Sequence, residues 1–383
     1  MDVSAFDFDL PEELIAQEPP AQRGGSRLLV LRRNSGRLEH AVFRELPCFL
    51  TRGDLLVLND PRVFPARLLG RRVPSGGSVE CLLVRQLATP DATGEPTPNE
   101  LVRPGFSRAS ALGVGEAKPL GVESSEIWEA LMHPGQKLKP GAAVVFEGPD
   151  ARIDGEVLER RFFGRRTIRL WTENGDLAEA INRIGHIPLP PYIRRDDRPE
   201  DRERYQTVYA DERGSIAAPT AGLHFTDALL HELADAGVEQ ARVTLHVGYG
   251  TFKPVRVERV EDHAVDAERF SVSEAVAAQI SRARRDGRRV VAVGTTTARA
   301  LESLDVTADG RVLPQQGETS LFIRPGHDFR IISGLITNFH LPKSSLLMLV
   351  SAFAGHEAVM AAYRAAVGER YRFYSYGDAM LIL

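Results

Sequence analysis

The chain has 383 residues, and its 43% hydrophobic and 26% charged content is that of an ordinary globular protein, which excludes the disordered and membrane-spanning classes. Its formal net charge of -4 excludes a partner held by global basic charge, so a nucleic acid would need a local basic surface. Two distant cysteines, Cys48 and Cys81, fit a reducing compartment better than a disulfide framework or a metal motif, and with no basic-then-apolar leader and no apolar run of bilayer length a cytoplasmic protein is expected.

Pro11 starts a short helix over 10–16. Strands are predicted over 27–31, closed by an Asn34-Ser35-Gly36 turn, and over 54–58. Asn59-Asp60-Pro61-Arg62-Val63 leaves the second strand as a polar turn. Polar residues past the carboxyl end of a buried strand are where α/β proteins place ligands, although an Asx turn before a proline explains them equally well.

From Arg67 the texture changes to short strands broken by Gly and Pro, over 79–84, 142–146, 152–158 and 166–171, predicting a small β-barrel or sandwich. Within it, 89–126 is rich in Pro, Gly, Ser, Glu and Ala and reads as an extended surface insertion. Arginine clusters at 160–169, 194–204 and 282–289 offer weak phosphate-binding candidates, with plain solvated surface the simpler reading.

Asp176 caps a helix carrying Leu177, Ala180, Ile181 and Ile184 on one face, stopped by Gly185. A stiff Ile-Pro-Leu-Pro-Pro-Tyr-Ile run over 187–193 follows. Residues 205–209 are predicted as a strand whose aromatics stack a base or simply pack.

The densest stretch is 214–255, where two histidine-bearing segments flank one short helix. Thr226 caps that helix, Leu229, Leu230 and Leu233 form its apolar face, and Gly237 takes the C′ position. In the strand that follows, Ala241, Val243, Leu245 and Val247 alternate with Arg242, Thr244 and His246. Ser273 begins the next helix. Val290–Val293 reads as a central strand buried on both faces, running through Gly294-Thr295-Thr296-Thr297 into a helix that carries Arg299 and Glu302. Such a turn is an anion seat for a carboxylate or single phosphate, or a plain crossover; it is neither a Walker motif nor GxGxxG. Strands over 321–324 and 331–336, a buried helix Ser345–Ala354, a second helix over 358–367 and an aromatic tail that docks back on the body complete the pattern.

Several blocks together resemble a known family. Ala-Pro-Thr-Ala-Gly-Leu-His-Phe over 218–225, Thr-Leu-His-Val-Gly-Tyr-Gly-Thr-Phe over 244–252, Gly-Thr-Thr-Thr-Ala-Arg over 294–299, Thr-Asn-Phe-His-Leu-Pro over 337–342 and Tyr-Arg-Phe-Tyr-Ser-Tyr-Gly-Asp over 371–378 are similar to the signatures of the S-adenosylmethionine:tRNA ribosyltransferase-isomerases of queuosine synthesis. The 53–67 block and 187–193 match as well; the departure is 89–126, longer than the family pattern.

The resemblance implies a mixed α+β fold, with a layered α/β main domain over 1–65 and 173–383 and a small β-barrel inserted over 66–172. It implies transfer and isomerisation of the ribosyl group of S-adenosylmethionine onto 7-aminomethyl-7-deazaguanine at the tRNA wobble position, with adenine and methionine released. S-adenosylmethionine is then a consumed co-substrate, tRNA the partner, and no metal, true cofactor or obligate protein partner is expected of the monomer.

On the matching positions, His224 and His246 are the expected proton carriers, with His340 a third candidate or a loop-pinning residue. Arg299 with the Thr295 and Thr296 backbone would hold a carboxylate or phosphate. Asp60 or Asp378 would attract the sulfonium or orient a base, and Tyr374 or Tyr376 would offer it a ring face. Arg62, Thr220, Gly222, Gly248, Thr251 and Asn338 complete the expected binding set. The rival classes are a tRNA methyltransferase, whose GxGxG loop is absent from the sequence, and a non-catalytic RNA-binding module.

Overall fold

The computed structural model describes residues 1–88, 125–173, 175–248, 250 and 255–383. They form two compact units, Met1–Phe64 with Leu189–Leu383, and Pro65–Pro188. The expected insertion at 89–126 falls mostly outside the described residues; Ser125 and Glu126 already belong to a strand.

The chain begins with β1 (Arg27–Arg32), β2 (Arg37–Val42), β3 (Leu55–Asn59) and β4 (Pro61–Val63). The second unit then contributes β5 (Arg67–Val73), β6 (Ser78–Ala88), β7 (Ser125–His133), β8 (Ala143–Glu147), β9 (Arg152–Arg160) and β10 (Arg165–Trp171), which close into an all-antiparallel barrel in the order β10-β7-β6-β5-β8-β9. Leu68, Cys81, Leu83, Phe146, Ile153 and Ile168 are among its fully buried side chains. Arg166 is buried with them, its guanidinium donating to the carbonyls of Leu138, Gly135 and Arg165. Burial lowers its pKa, and the carbonyl cage replaces the lost water. Helix α1 (Leu177–Ile184) begins on Asp176, whose carboxylate accepts from Ala178 N–H, and ends the barrel unit.

The first unit resumes through α2 (Asp201–Arg204), β11 (Glu212–Ser215), α3 (Asp227–Asp235), β12 (Glu239–Leu245), β13 (Glu268–Val272), α4 (Glu274–Arg285), β14 (Val290–Val293), α5 (Thr295–Glu302), β15 (Gln315–Thr319), β16 (Gly334–Asn338), α6 (Ser345–Ala354), α7 (His356–Gly368) and β17 (Ala379–Ile382). Nine strands make one sheet in the order β15-β13-β12-β3-β14-β16-β17-β1-β2, and β11 pairs separately with β4. The run β12-β3-β14-β16 is parallel, so four carboxyl ends emerge on one edge. Period-two alternation decides the two cores. Leu55, Val57, Val290 and Ala292 face α4 through α7, while Leu56, Leu58, Val291 and Val293 face α3 and Phe225.

The expected mixed fold with its barrel is present, and helices begun by Thr226 and Ser273 are capped as read. Three local expectations are corrected. The 10–16 helix is one 3-10 turn, Glu12–Leu14. Residues 205–209 form no strand: the Gln206 side chain takes both the N–H and the C=O of Val63, and Tyr205 and Tyr209 are buried rather than offered to a base. Residues 321–324 form no strand either, because Leu321 gives its N–H to Thr319 Oγ1 and its C=O to Arg299. Among the described residues no single helix is long and apolar enough to cross a membrane.

Candidate active site

Beyond the carboxyl ends of β14 and β16 lies a cavity of about 310 Å³, walled by Ala217–Ala221, Gly294–Thr296, Thr337, Asn338, His340–Ser344 and the start of α6, Tyr192, Tyr374 and Ser375. Its position follows from topology, since the strands on either side point their ends into it. The wall is rich in hydroxyls. Thr220, Thr295, Thr296, Thr337, Ser344, Ser345, Ser375 and two tyrosines line it, and Lys343 at the margin pairs with Asp7.

Gly294 turns β14 into α5 with φ 95° and ψ 150°, a conformation open essentially to glycine alone. Gly294 N–H bonds Ile336 C=O at 2.7 Å, tying the turn to β16. The first N–H groups of α5 have no intrahelical acceptor and form a partial positive end at the cavity wall. Asn59 braces the neighbouring strand ends: its side chain accepts from Leu245 N–H at 2.7 Å and donates to Leu245 C=O at 3.1 Å.

Tyr192 and Tyr374 pack against each other with ring centroids 3.7 Å apart and planes tilted by 40°. Tyr374 holds φ 73°, and Lys343 holds φ 57°; of the three non-glycine residues with positive φ among the described residues, two line this cavity. Left-handed backbone in bulky residues is held only where the surroundings over-determine it. At Tyr374 those surroundings include its C=O, which accepts from Asn338 Nδ2 at 3.1 Å. Asn338 also accepts from Thr220 Oγ1 at 3.1 Å and contacts His224 Nε2 at 3.1 Å, and His224 Nδ1 lies 3.0 Å from Ser26 Oγ.

The structure thus gathers Thr220, Thr295, Thr296, Asn338, His340 and Tyr374 on one wall and disperses the other expected residues. His224 stands behind Asn338, in contact with Phe43. His246, half-buried, lies over Gly214, and its Nδ1 finds no hydrogen-bond partner among the described residues. Asp378 accepts from the backbone N–H groups of Arg27 and Arg372 and pins the tail. Tyr376 donates to Asp201, which also pairs with Arg195. Asp60 is buried and accepts from Thr244 Oγ1 at 2.7 Å; burial raises its pKa. Arg62 is exposed and donates to Ala210 C=O. Gly222 lies under Tyr209, where a Cβ would come within 2.1 Å of the phenol oxygen. Gly248 N–H donates to Glu268. Arg299 is buried in an ion pair with Glu268 and lines a separate, smaller hollow with Asp266 and Leu321. Thr251 lies outside the described residues.

Sequence reasoning missed Tyr192 and Ser375 as cavity residues; the stiff proline run and aromatic tail carrying them were visible, but their meeting is tertiary. The arginine clusters are largely consumed by structure: Arg165, Arg195 and Arg289 pair with Glu129, Asp201 and Asp54.

Burial lowers the pKa of both His224 and His340 to about 3, helped at His224 by Arg372 and Arg23. Both are neutral in the folded protein near neutral pH, whereas the unfolded chain protonates them below about 6.5. Stability is therefore fully present above that value and falls as pH drops toward 4. Each histidine contributes a slope of up to about 1.4 kcal/mol per pH unit. Urea midpoints measured from pH 7 to pH 4 should decline on this slope, less steeply in His340→Gln.

A parallel-sheet edge with a helix N-terminus, paired aromatic rings and a hydroxyl-lined cavity defines a small-molecule-binding α/β enzyme domain, here carrying an all-antiparallel barrel in a second unit. The family model for the queuosine biosynthesis protein matches residues 3–382. The chain is 48% identical over all 383 residues to the S-adenosylmethionine:tRNA ribosyltransferase-isomerase of Symbiobacterium thermophilum, covering all of both chains. It is 50% identical to that of Nitratidesulfovibrio vulgaris strain DP4, over 99% of this chain and 97% of that one. A crystal structure of S-adenosylmethionine tRNA ribosyltransferase from Thermotoga maritima is 36% identical over 99% of this chain and all of that chain, with a TM-score of 0.49. The chain belongs to the queuosine biosynthesis protein family.

Proposed function

We propose that this chain transfers the ribosyl group of S-adenosylmethionine to the aminomethyl group of 7-aminomethyl-7-deazaguanine in tRNA and isomerises it to the epoxycyclopentanediol of epoxyqueuosine, releasing adenine and methionine. The observation that carries this is full-length kinship: the family match runs from residue 3 to residue 382, and relatives of that name align end to end. The tRNA substrate and the free thiols Cys48 and Cys81 support a cytoplasmic location.

The cavity suits the co-substrate group by group. The amino-terminal N–H groups of α5 at Thr295 and Thr296 seat the methionine carboxylate, in place of Arg299, whose charge Glu268 already neutralises. The Tyr192–Tyr374 pair faces the sulfonium cation with π-density. Threonine and serine hydroxyls accompany the ribose. His340 is the histidine at the cavity wall, with Nε2 2.8 Å from Thr337 Oγ1; burial keeps it neutral, and we assign it a hydrogen-bonding role toward the bound co-substrate and not the proton abstraction.

The test incubates purified protein with S-adenosylmethionine and tRNA bearing 7-aminomethyl-7-deazaguanine, following products by mass spectrometry. Adenine and methionine released only with that tRNA are expected. S-adenosylhomocysteine instead would establish methyl transfer, and tRNA binding without turnover a non-catalytic module.

A further inference from the structure

We infer that His224 is a positioning residue and not a proton carrier: held as the neutral tautomer with hydrogen on Nδ1, it orients the Asn338 amide, which fixes the Tyr374 main chain and the Thr220 hydroxyl at the cavity wall. The inference deepens the proposed function at the same cavity.

The tautomer follows from hydrogen-bond logic. Tyr374 C=O can only accept, so the Asn338 atom 3.1 Å from it is the amide nitrogen, Nδ2. The same nitrogen lies 3.1 Å from His224 Nε2 and has a second hydrogen to give. Nε2 therefore accepts, and the ring proton sits on Nδ1, donated to Ser26 Oγ at 3.0 Å. Asn338 Oδ1 is left to accept from Thr220 Oγ1, which closes the network with every Asn338 amide group used. All three hub residues are buried: Ser26 is 1% exposed, Asn338 2% and His224 3%.

Protonating Nε2 would set two donors against each other and free Asn338 from one of its two acceptors. Arg23 and Arg372, the charged groups acting on the ring, both disfavour a cation there. The Phe43 ring, 4.9 Å from the imidazole and tilted 31°, holds its plane. His224 thus lacks a free lone pair and does not line the cavity. What it supplies is a fixed acceptor.

Two measurements test this. Nitrogen-15 NMR of histidine-labelled protein, with the signal assigned by its loss in His224→Gln, should show the neutral Nδ1–H tautomer unchanged from pH 8 to pH 5; an Nε2–H tautomer or an imidazolium in that range overturns the inference. This arm needs no substrate, so it is decided even if the proposed reaction proves wrong. In turnover, His224→Gln offers an amide oxygen to Asn338 and should lose no more than roughly tenfold in kcat/KM, while His224→Leu, which leaves Asn338 loose, should lose roughly 100-fold. Equal collapse of both folded variants would make His224 the proton carrier.

Discussion

Replacing Gly294 by alanine should raise the KM for S-adenosylmethionine at least tenfold while the protein stays folded. The cause is conformational and not steric. A Cβ at this position would meet Thr296 Oγ1 at 3.5 Å and Ala221 Cβ at 3.8 Å, ordinary contacts. The backbone, however, holds φ 95° and ψ 150°, where an L residue is strained by about 1–3 kcal/mol. The chain relieves that strain by rotating the turn, and the turn is what aims the first N–H groups of α5. A carboxylate held by those groups loses its seat, because hydrogen bonds weaken steeply with misalignment. The control is Gly310→Ala, at φ 83° with nothing within 4 Å of its Cβ. It carries a positive-φ backbone cost in a loop that does not line the cavity, and should lower Tm without moving KM. Titration calorimetry of S-adenosylmethionine binding to both variants separates the two effects; an unchanged affinity in Gly294→Ala would remove the α5 terminus from the binding site.

How much of this was legible in the sequence depended on whether the signal was local. Period-two runs and caps are local, so the strand Val290–Val293 and the helices begun by Thr226 and Ser273 were readable. The polar residues at strand ends were readable too, since Thr295, Thr296 and Asn338 follow directly from apolar runs. Strand β17 was not, because Ala-Met-Leu-Ile after an aromatic tail carries no period, and it becomes a strand only by inserting between β1 and β16. The separation of the motif histidines was equally hidden. His224 and His340 sit in comparable blocks, yet His340 meets the cavity and His224 meets Asn338, a difference of tertiary placement alone. Arg299 shows the converse: a cation near a helix start suggests an anion site, but its partner Glu268 lies on β13, distant in sequence.

Replacing Glu302 by alanine should cost about 3–5 kcal/mol of stability and leave substrate affinity near that of the parent enzyme. Glu302 ends α5, only 2% exposed, and its carboxylate accepts from the backbone N–H groups of Arg330, Ile331 and Ile332 at 2.8, 3.0 and 2.9 Å. Those residues lead into β16, and Arg330 returns a bond to Glu302 C=O at 3.0 Å. Removal of the side chain strands three donors away from water, each worth about 1–3 kcal/mol when unmade, and opens a void beside the buried Ile331 and Ile332. Gln would keep one oxygen for Ile331 and Ile332 but turn an amide nitrogen toward Arg330 N–H, so Glu302→Gln should fall between the parent and Ala. The cage lies at the opposite end of α5 from Thr295 and Thr296, so its loss lowers the population of folded molecules rather than reshaping the cavity. Urea unfolding should therefore show a lower midpoint at an unchanged m-value. A Glu302→Ala protein with parental stability would show that the 330–332 turn finds other acceptors; one with parental stability and weakened S-adenosylmethionine binding would make α5 a lever between its two ends.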